Sequence, residues 1–265
     1  MHDLRERPIP NLDAVRERRR GTRSYPIDLD SIEETEHARD LLAEGFAGAN
    51  YYYRTDNPPY FHRAPGAIPQ LYVREGLVWR LIKANKMFHQ YGCELYIYDA
   101  YRPPEVQNHF HDVWVPEYLR KLHPDWSEEK IRDEVGNYWA KGVPDIHAVD
   151  PQSPPPHMTG GVVDITLKEL FSDEHLPMGT DFDVVHESAF TEYLENLSGL
   201  RELTREESLA LRNRRLLYWV MHEVGMANNP NEWWHYSYGD QMWAKISEAP
   251  IALYGAMKLP NMKAV

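Results

Sequence analysis

The strongest hydrophobic pattern in the chain lies between Tyr72 and Tyr91. Val73, Leu77, Leu81, Ala84 and Phe88 recur at three- and four-residue steps, joined by Val78 and Ile82, and Gly92 follows. That spacing predicts an amphipathic helix with a glycine just past its end. The run Cys93-Glu94-Leu95-Tyr96-Ile97-Tyr98-Asp99 is short, aliphatic and aromatic, and predicts a buried strand. Pro103 and Pro104 can open a helix carrying Val106, Phe110, Val113, Trp114, Tyr118 and Leu119, which Pro116 should kink or break. Ser127 caps a further helix running to about Lys141. A helix is predicted over Ala189 to Leu200, and another begins at the capping box Thr204-Arg205-Glu206-Glu207 and stops at Gly225. Val162 to Leu167 and the aromatic segment Glu232 to Tyr238 read as strands. Ile32 to Ala47 reads as a short helix, and Tyr51-Tyr52-Tyr53 as a short strand. Residues 48–70, 142–156 and 171–185 read as loops, and 228–231 as a turn. Few strands among irregularly spaced helices, with no dividing linker, indicate an α+β fold: a single domain, 1–265, with a small, mostly antiparallel sheet flanked by helices. Residues 1–30 form an extended N-terminal segment and 241–265 a C-terminal extension.

Composition narrows the function classes. A net charge of −12 argues against nucleic acid as a partner. Within the N-terminal segment, Arg16-Glu17-Arg18-Arg19-Arg20 reads as a solvated face or flexible lead-in rather than an anion-binding arm. The single cysteine, Cys93, precludes an internal disulfide and a thiolate zinc finger, and reads as a small buried residue. No apolar leader opens the chain and no run of eighteen apolar residues occurs, so a cytoplasmic protein without a membrane partner is expected.

Two clusters carry the candidate chemistry. Pro156-His157-Met158-Thr159-Gly160-Gly161-Val162-Val163-Asp164 sets an imidazole and a carboxylate seven residues apart. Seven is odd, so an ideal strand would send them to opposite faces, and the glycine pair must bend the chain if both serve one site. Asp164 lies among β-branched residues, where a buried carboxylate needs a partner or a cation. Downstream, Asn231-Glu232-Trp233-Trp234-His235-Tyr236 adds a second imidazole and a second carboxylate. Strand parity would separate Glu232 from His235, so a twist or bulge at Trp233-Trp234 is required. Two imidazoles, a ligating carboxylate and a spare one are the parts of a hydrolytic zinc site with its own base. Arg102, in Tyr101-Arg102-Pro103-Pro104, sits at a strand-to-helix corner, where it can hold a developing oxyanion or pair with Asp99 or Glu105. His109 and His111 do not share a helical face and are not expected to ligate.

Taken together, these segments resemble the D-alanyl-D-alanine dipeptidases of the vancomycin-resistance type. That zinc peptidase group also contains D,D- and L,D-carboxypeptidases of cell-wall peptides. The family pattern is Ser-x-His-x-x-Gly-x-Ala-x-Asp, then Glu-x-Trp-His, with Tyr-Arg-Pro upstream. His157, Gly160 and Asp164 match the first part, Glu232, Trp234 and His235 the second, and Tyr101, Arg102 and Pro103 the third, within a similarity spanning about residues 46–240. The resemblance implies a zinc D,D-peptidase-like fold and a metallopeptidase with one zinc ion held by His157, Asp164 and His235. It implies Glu232 as general base and acid, Arg102 as transition-state stabiliser, and Asp183 and Tyr101 as substrate-binding residues, Asp183 near the free amino group of a small peptide. Pro155 replaces the pattern's serine and Val162 its alanine, which places a difference in substrate preference at Pro155. Two other chemistries share some of these parts. Two histidines and a carboxylate also hold iron for oxygen chemistry, which needs no adjacent base such as Glu232. A zinc-stabilised module that only binds peptides would need neither Glu232 nor Arg102.

Overall fold

The computed structural model describes residues 3–145 and 148–259. In chain order the regular elements are α1 (Asp13–Arg19), β1 (Ala38–Asp40), β2 (Ala47–Gly48), β3 (Tyr72–Arg74), α2 (Glu75–Phe88), β4 (Cys93–Asp99), α3 (Pro104–His109), α4 (Val115–Leu122), α5 (Glu128–Tyr138), β5 (Val162–Glu169), α6 (Tyr193–Leu200), α7 (Arg205–Glu223), β6 (Ala227–Asn228), β7 (His235–Ser237) and α8 (Gln241–Ile246). A five-stranded sheet runs β2-β4-β5-β7-β6, and β1 pairs separately with β3. Only the β2–β4 pairing in the larger sheet is parallel. The α+β class, with a small and mostly antiparallel sheet, is therefore as the sequence indicates.

The central strands are buried because both faces are covered. Every residue from Val162 to Leu167 is buried, as a strand between layers requires. On β4 burial alternates, with Cys93, Leu95, Ile97 and Asp99 inward. The apolar stripe of α2, including Leu77, Leu81, Ala84 and Phe88, joins Leu216, Leu217 and Val220 of α7 in the same core. The predicted capping box opens α7: Glu207 N donates to Thr204 Oγ1 while Thr204 N donates to Glu207 Oε2. Pro116 is accommodated rather than disruptive. A π-helical turn, Phe110–Trp114, joins α3 to α4 and leaves Pro116 in the first turn of α4, where no hydrogen bond from its nitrogen is needed.

Several local expectations fail for identifiable reasons. Ile32 to Ala47 is not a helix: Ala38–Asp40 is drawn into pairing with Tyr72–Arg74, and Asp40 Oδ1 accepts from the backbone of Leu42 and Leu71. That pairing also takes the first three residues of the predicted Tyr72 helix. Tyr51-Tyr52-Tyr53 is a turn, because Asn50 accepts from the backbone of Tyr52 through its side chain and of Tyr53 through its carbonyl. Glu232 to Trp234 is a turn rather than strand, and β7 begins only at His235. The N-terminal segment is not extended throughout: Arg16 to Arg19 lie on α1, which buried Leu12 precedes, and Arg20 follows its end. The C-terminal extension contains α8 and a strap in which Met257 N donates to Met158 O; its final six residues lie outside the described residues.

Candidate metal and catalytic site

One cross-strand row positions most of the site. Asp99 on β4 faces Asp164 on β5, and Asp164 faces His235 on β7. The first of these pairings depends on a bulge. The register from Cys93 to Ile97 is regular, then shifts by one residue so that Asp99 meets Asp164, the kind of local re-aiming that bulges provide. His157 reaches the row from outside the sheet. It lies on a 3-10 turn, Pro156–Thr159, and Gly160 at φ +69° then swings the chain into β5. A Cβ at Gly160 would fall 2.4 Å from Met257 Sδ, so close packing as well as backbone angle demands glycine here. Buried Arg74 braces this turn: its Nε donates to Thr159 O and its backbone N to Gly160 O.

His157, Asp164 and His235 each bring a ligand atom within 4.8 Å of the others. Nδ1 of His157 lies 2.7 Å from Ala100 O, which can only accept, so Nδ1 donates there and leaves Nε2 to face Asp164 Oδ2 at 3.3 Å. Nδ1 of His235 lies 3.1 Å from Asp164 Oδ1 and 3.3 Å from Glu232 Oε2. The turn at Glu232 makes that second approach possible: Glu232 N donates to Asn229 O, His235 N to Glu232 O, and Asn228 Nδ2 to the carbonyls of both. The parity problem between Glu232 and His235 is thus solved by a turn where the sequence called for a twist or bulge.

The electrostatics suit a cation. Asp99 and Asp164 are fully buried with Arg102, and Asp183 stands close by. Burial opposes ionisation of Asp164, yet His157 and His235 hold it well below the usual carboxylate range. Burial likewise opposes charge on His235, but Asp164 and Glu232 outweigh it and push its pKa up. Beyond the ion-pair approach of His235 Nδ1, Oδ1 of Asp164 is buried without a hydrogen-bond partner, as is Nε2 on the other side of the His235 ring. Two imidazoles and a buried carboxylate converging with an oxygen left unsatisfied fit a divalent cation.

Arg102 is neither exposed nor paired with Glu105. Its Nε donates to Asp99 Oδ2 at 2.8 Å, Nη1 to Gln107 Oε1, and Nη2 to Tyr52 Oη and Asp164 Oδ2. Backbone N of Arg102 also donates to His157 O, tying the two motifs together. Asp183 holds a left-handed φ of +58°. Its Oδ2 accepts from Tyr52 Oη at 2.7 Å and Tyr60 Oη at 2.9 Å. Burial and the nearby Asp164 charge push its carboxyl up to about 7. His157, Asp164, His235, Glu232, Arg102 and Asp183 all line one cavity of about 610 Å³, a volume suited to a small ligand.

Residues 69–251 match the peptidase M15 family, described as D-Ala-D-Ala dipeptidase. The chain belongs to this family. A D-alanyl-D-alanine dipeptidase of Synechocystis sp. is 33% identical over 182 residues, which cover 65% of this chain and 71% of the relative. One of Enterococcus faecium is 28% identical over 162 residues, covering 61% and 70% respectively. One of Escherichia coli is 26% identical over 159 residues, covering 59% and 61%. The chain is accordingly a peptide-hydrolysing enzyme of a metallopeptidase family, with a small peptide as its substrate class. Among the described residues no helix is long and apolar enough to cross a membrane.

Within this peptidase the structure separates the sequence candidates. Five of the seven converge directly on the cavity around the ligand group, and Asp183 joins them from its loop. Tyr101, expected to bind substrate, is not among the residues lining it. Its backbone N donates to Tyr72 O, and its side chain is buried against Met158, Val143 and Met257, away from the cavity. Residues missed from sequence include Asp99, Tyr52 and Tyr60. Asp99 had a visible signal, an acid at the end of a buried strand three residues before Arg102. The tyrosines had none, because an aromatic run reads equally well as packing.

Proposed function

We propose that this peptidase hydrolyses a D-Ala-D-Ala-type dipeptide with one zinc ion held by His157, Asp164 and His235. The observation that carries the reading is the spare carboxylate. Glu232 sits 3.3 Å from a ligating imidazole, lines the same cavity, and retains 29% side-chain exposure. Held by these three residues, zinc would supply Lewis acidity and lower the pKa of a bound water toward neutrality.

The chain's own residues account for the rest. Glu232 Oε takes the proton of the attacking water and returns it to the leaving amine. Arg102, fixed by Asp99 and Gln107, presents a permanent positive charge toward the oxygen that becomes negative. Asp183, steadied by two tyrosine hydroxyls, receives the substrate's ammonium group. Asp99 orients Arg102 and lies 3.3 Å from His157 Nδ1, supporting that ring from behind. In this reading residues 1–265 act as one domain, working on cell-wall-derived peptides in the cytoplasm. Because the relatives carry the name D-alanyl-D-alanine dipeptidase, that dipeptide is the first substrate to assay.

The test is hydrolysis of D-Ala-D-Ala, other D,D- and L,D-dipeptides and longer muropeptides, with and without a chelator. Chelator-sensitive cleavage of D,D-dipeptides, restored by zinc, is expected. Preferential cleavage of longer muropeptides would instead indicate a carboxypeptidase, and binding without cleavage a non-catalytic module.

A further inference from the structure

The cavity has a wall that the family match does not reach. Residues 69–251 carry the match, yet Arg19 at the end of α1 also lines the cavity. The other arginines nearby have partners for their terminal nitrogens. Arg16 donates to Asn231 Oδ1, to Glu192 Oε1 at 2.7 Å and to Pro230 O. Arg18 pairs with Glu248 and donates to Ile246 O. Arg20 pairs with Glu17, and Arg23 donates to the carbonyls of Lys141 and Ser153. Arg19 differs. Its Nε donates to Asn229 Oδ1, but among the described residues its two terminal nitrogens have neither a hydrogen bond nor an ion-pair partner. Burial and the neighbouring Arg16 charge lower its pKa, and the charge of Glu232 opposes them. A half-buried guanidinium facing a cavity with two free donor nitrogens is a receptor for a planar anion.

We propose that Arg19 is a specificity-determining residue whose guanidinium receives the free C-terminal carboxylate of the substrate. This rests on the dipeptidase reading. With Asp183 taking the ammonium group, the scissile bond would lie between two charged ends, beside Glu232 and Arg102. Such an arrangement selects peptides with both termini free and short enough to span the two groups. Removing Arg19 should not detach the arm, since Arg16, Arg18 and Leu12 anchor α1 independently.

The experiment compares D-Ala-D-Ala with its C-terminal amide on the zinc-loaded full chain, for wild type, Arg19→Gln and Arg19→Lys. Wild type should prefer the free acid. Arg19→Gln should lose about tenfold to a hundredfold in kcat/KM for the free acid, mostly through KM, with little change for the amide. Arg19→Lys should recover part of the loss. Calorimetric binding of a phosphinate dipeptide analogue, with and without its carboxylate, should show the same selectivity without turnover. An Arg19→Gln variant that loses both substrates equally, with a shifted acid limb of its pH profile, would mean that Arg19 only tunes Glu232 and would overturn the proposal. Unchanged acid-to-amide selectivity would overturn it too. A wild type that cleaves neither dipeptide would overturn the dipeptidase reading itself, and this proposal with it.

Discussion

The wall that gathers His157, Asp164 and His235 and the arm that carries Arg19 are built in opposite ways. The wall is sheet: Asp99, Asp164 and His235 lie in one row across three paired strands, fixed by backbone register, and only His157 arrives from a turn. The arm is a seven-residue helix held on by side chains, chiefly Arg16 to Glu192 and Arg18 to Glu248. Backbone ladders set ligand positions to fractions of an ångström, as a metal demands. Side-chain anchors suffice for a charge that has only to meet a substrate terminus. Disturbing the wall should therefore change metal affinity, while disturbing the arm should change stability and substrate choice with the metal retained.

The largest effect should follow Asp164→Ala. It deletes the carboxylate that both imidazoles face, so metal analysis should find no bound ion and peptidase activity should vanish. Metal at one equivalent per chain would break the contrast. Next is Asp99→Asn, which leaves the row intact but weakens support for His157 and Arg102. Metal affinity should fall by about tenfold to a hundredfold in a competitive chelator titration. In the arm, Arg16→Ala leaves buried Glu192 without its partner. The pair is partly exposed, with side-chain accessibilities of 24% and 4%, so a loss of about 1–3 kcal/mol is expected in chemical denaturation. Metal content should not change.

The smallest and most diagnostic effect concerns Asp183. In metal-free protein its carboxyl should titrate near 7, followed by carboxyl carbon NMR. The group is raised, so it is neutral below that pH and its attraction for an ammonium group is lost as pH falls through it. A bound cation should move the titration down. Tyr60→Phe removes one donor to the carboxylate and should move it up, raising KM more at pH 6 than at pH 8. A titration that Tyr60→Phe leaves in place would remove the tyrosines from the account.

Much of the wall was legible in the chain because its residues sit close together in sequence. His157, Gly160 and Asp164 fall within eight positions and Glu232 to His235 within four, so parity alone revealed that a bend was needed in each. The bend at Gly160 was visible from composition. The turn at Glu232 was not, because it depends on Asn228 and Asn229 capturing its carbonyls and amides. Asp99 joined the row only through a β-bulge, and bulges leave no periodic trace. The strand reading of Tyr51 to Tyr53 failed for the same kind of reason, since Asn50 turned the chain. The arm was the least legible part. Its arginines looked like a solvated face because their partners, Glu192, Asn229 and Asn231, lie some two hundred residues away.

The central claim is that Glu232 is the proton carrier of a metal site that it does not itself hold together. Glu232→Ala, assayed for bound zinc and for D-Ala-D-Ala hydrolysis in one preparation, tests it most directly. The account predicts zinc near one equivalent with nearly all activity lost. Retained activity, or loss of zinc along with activity, would contradict it.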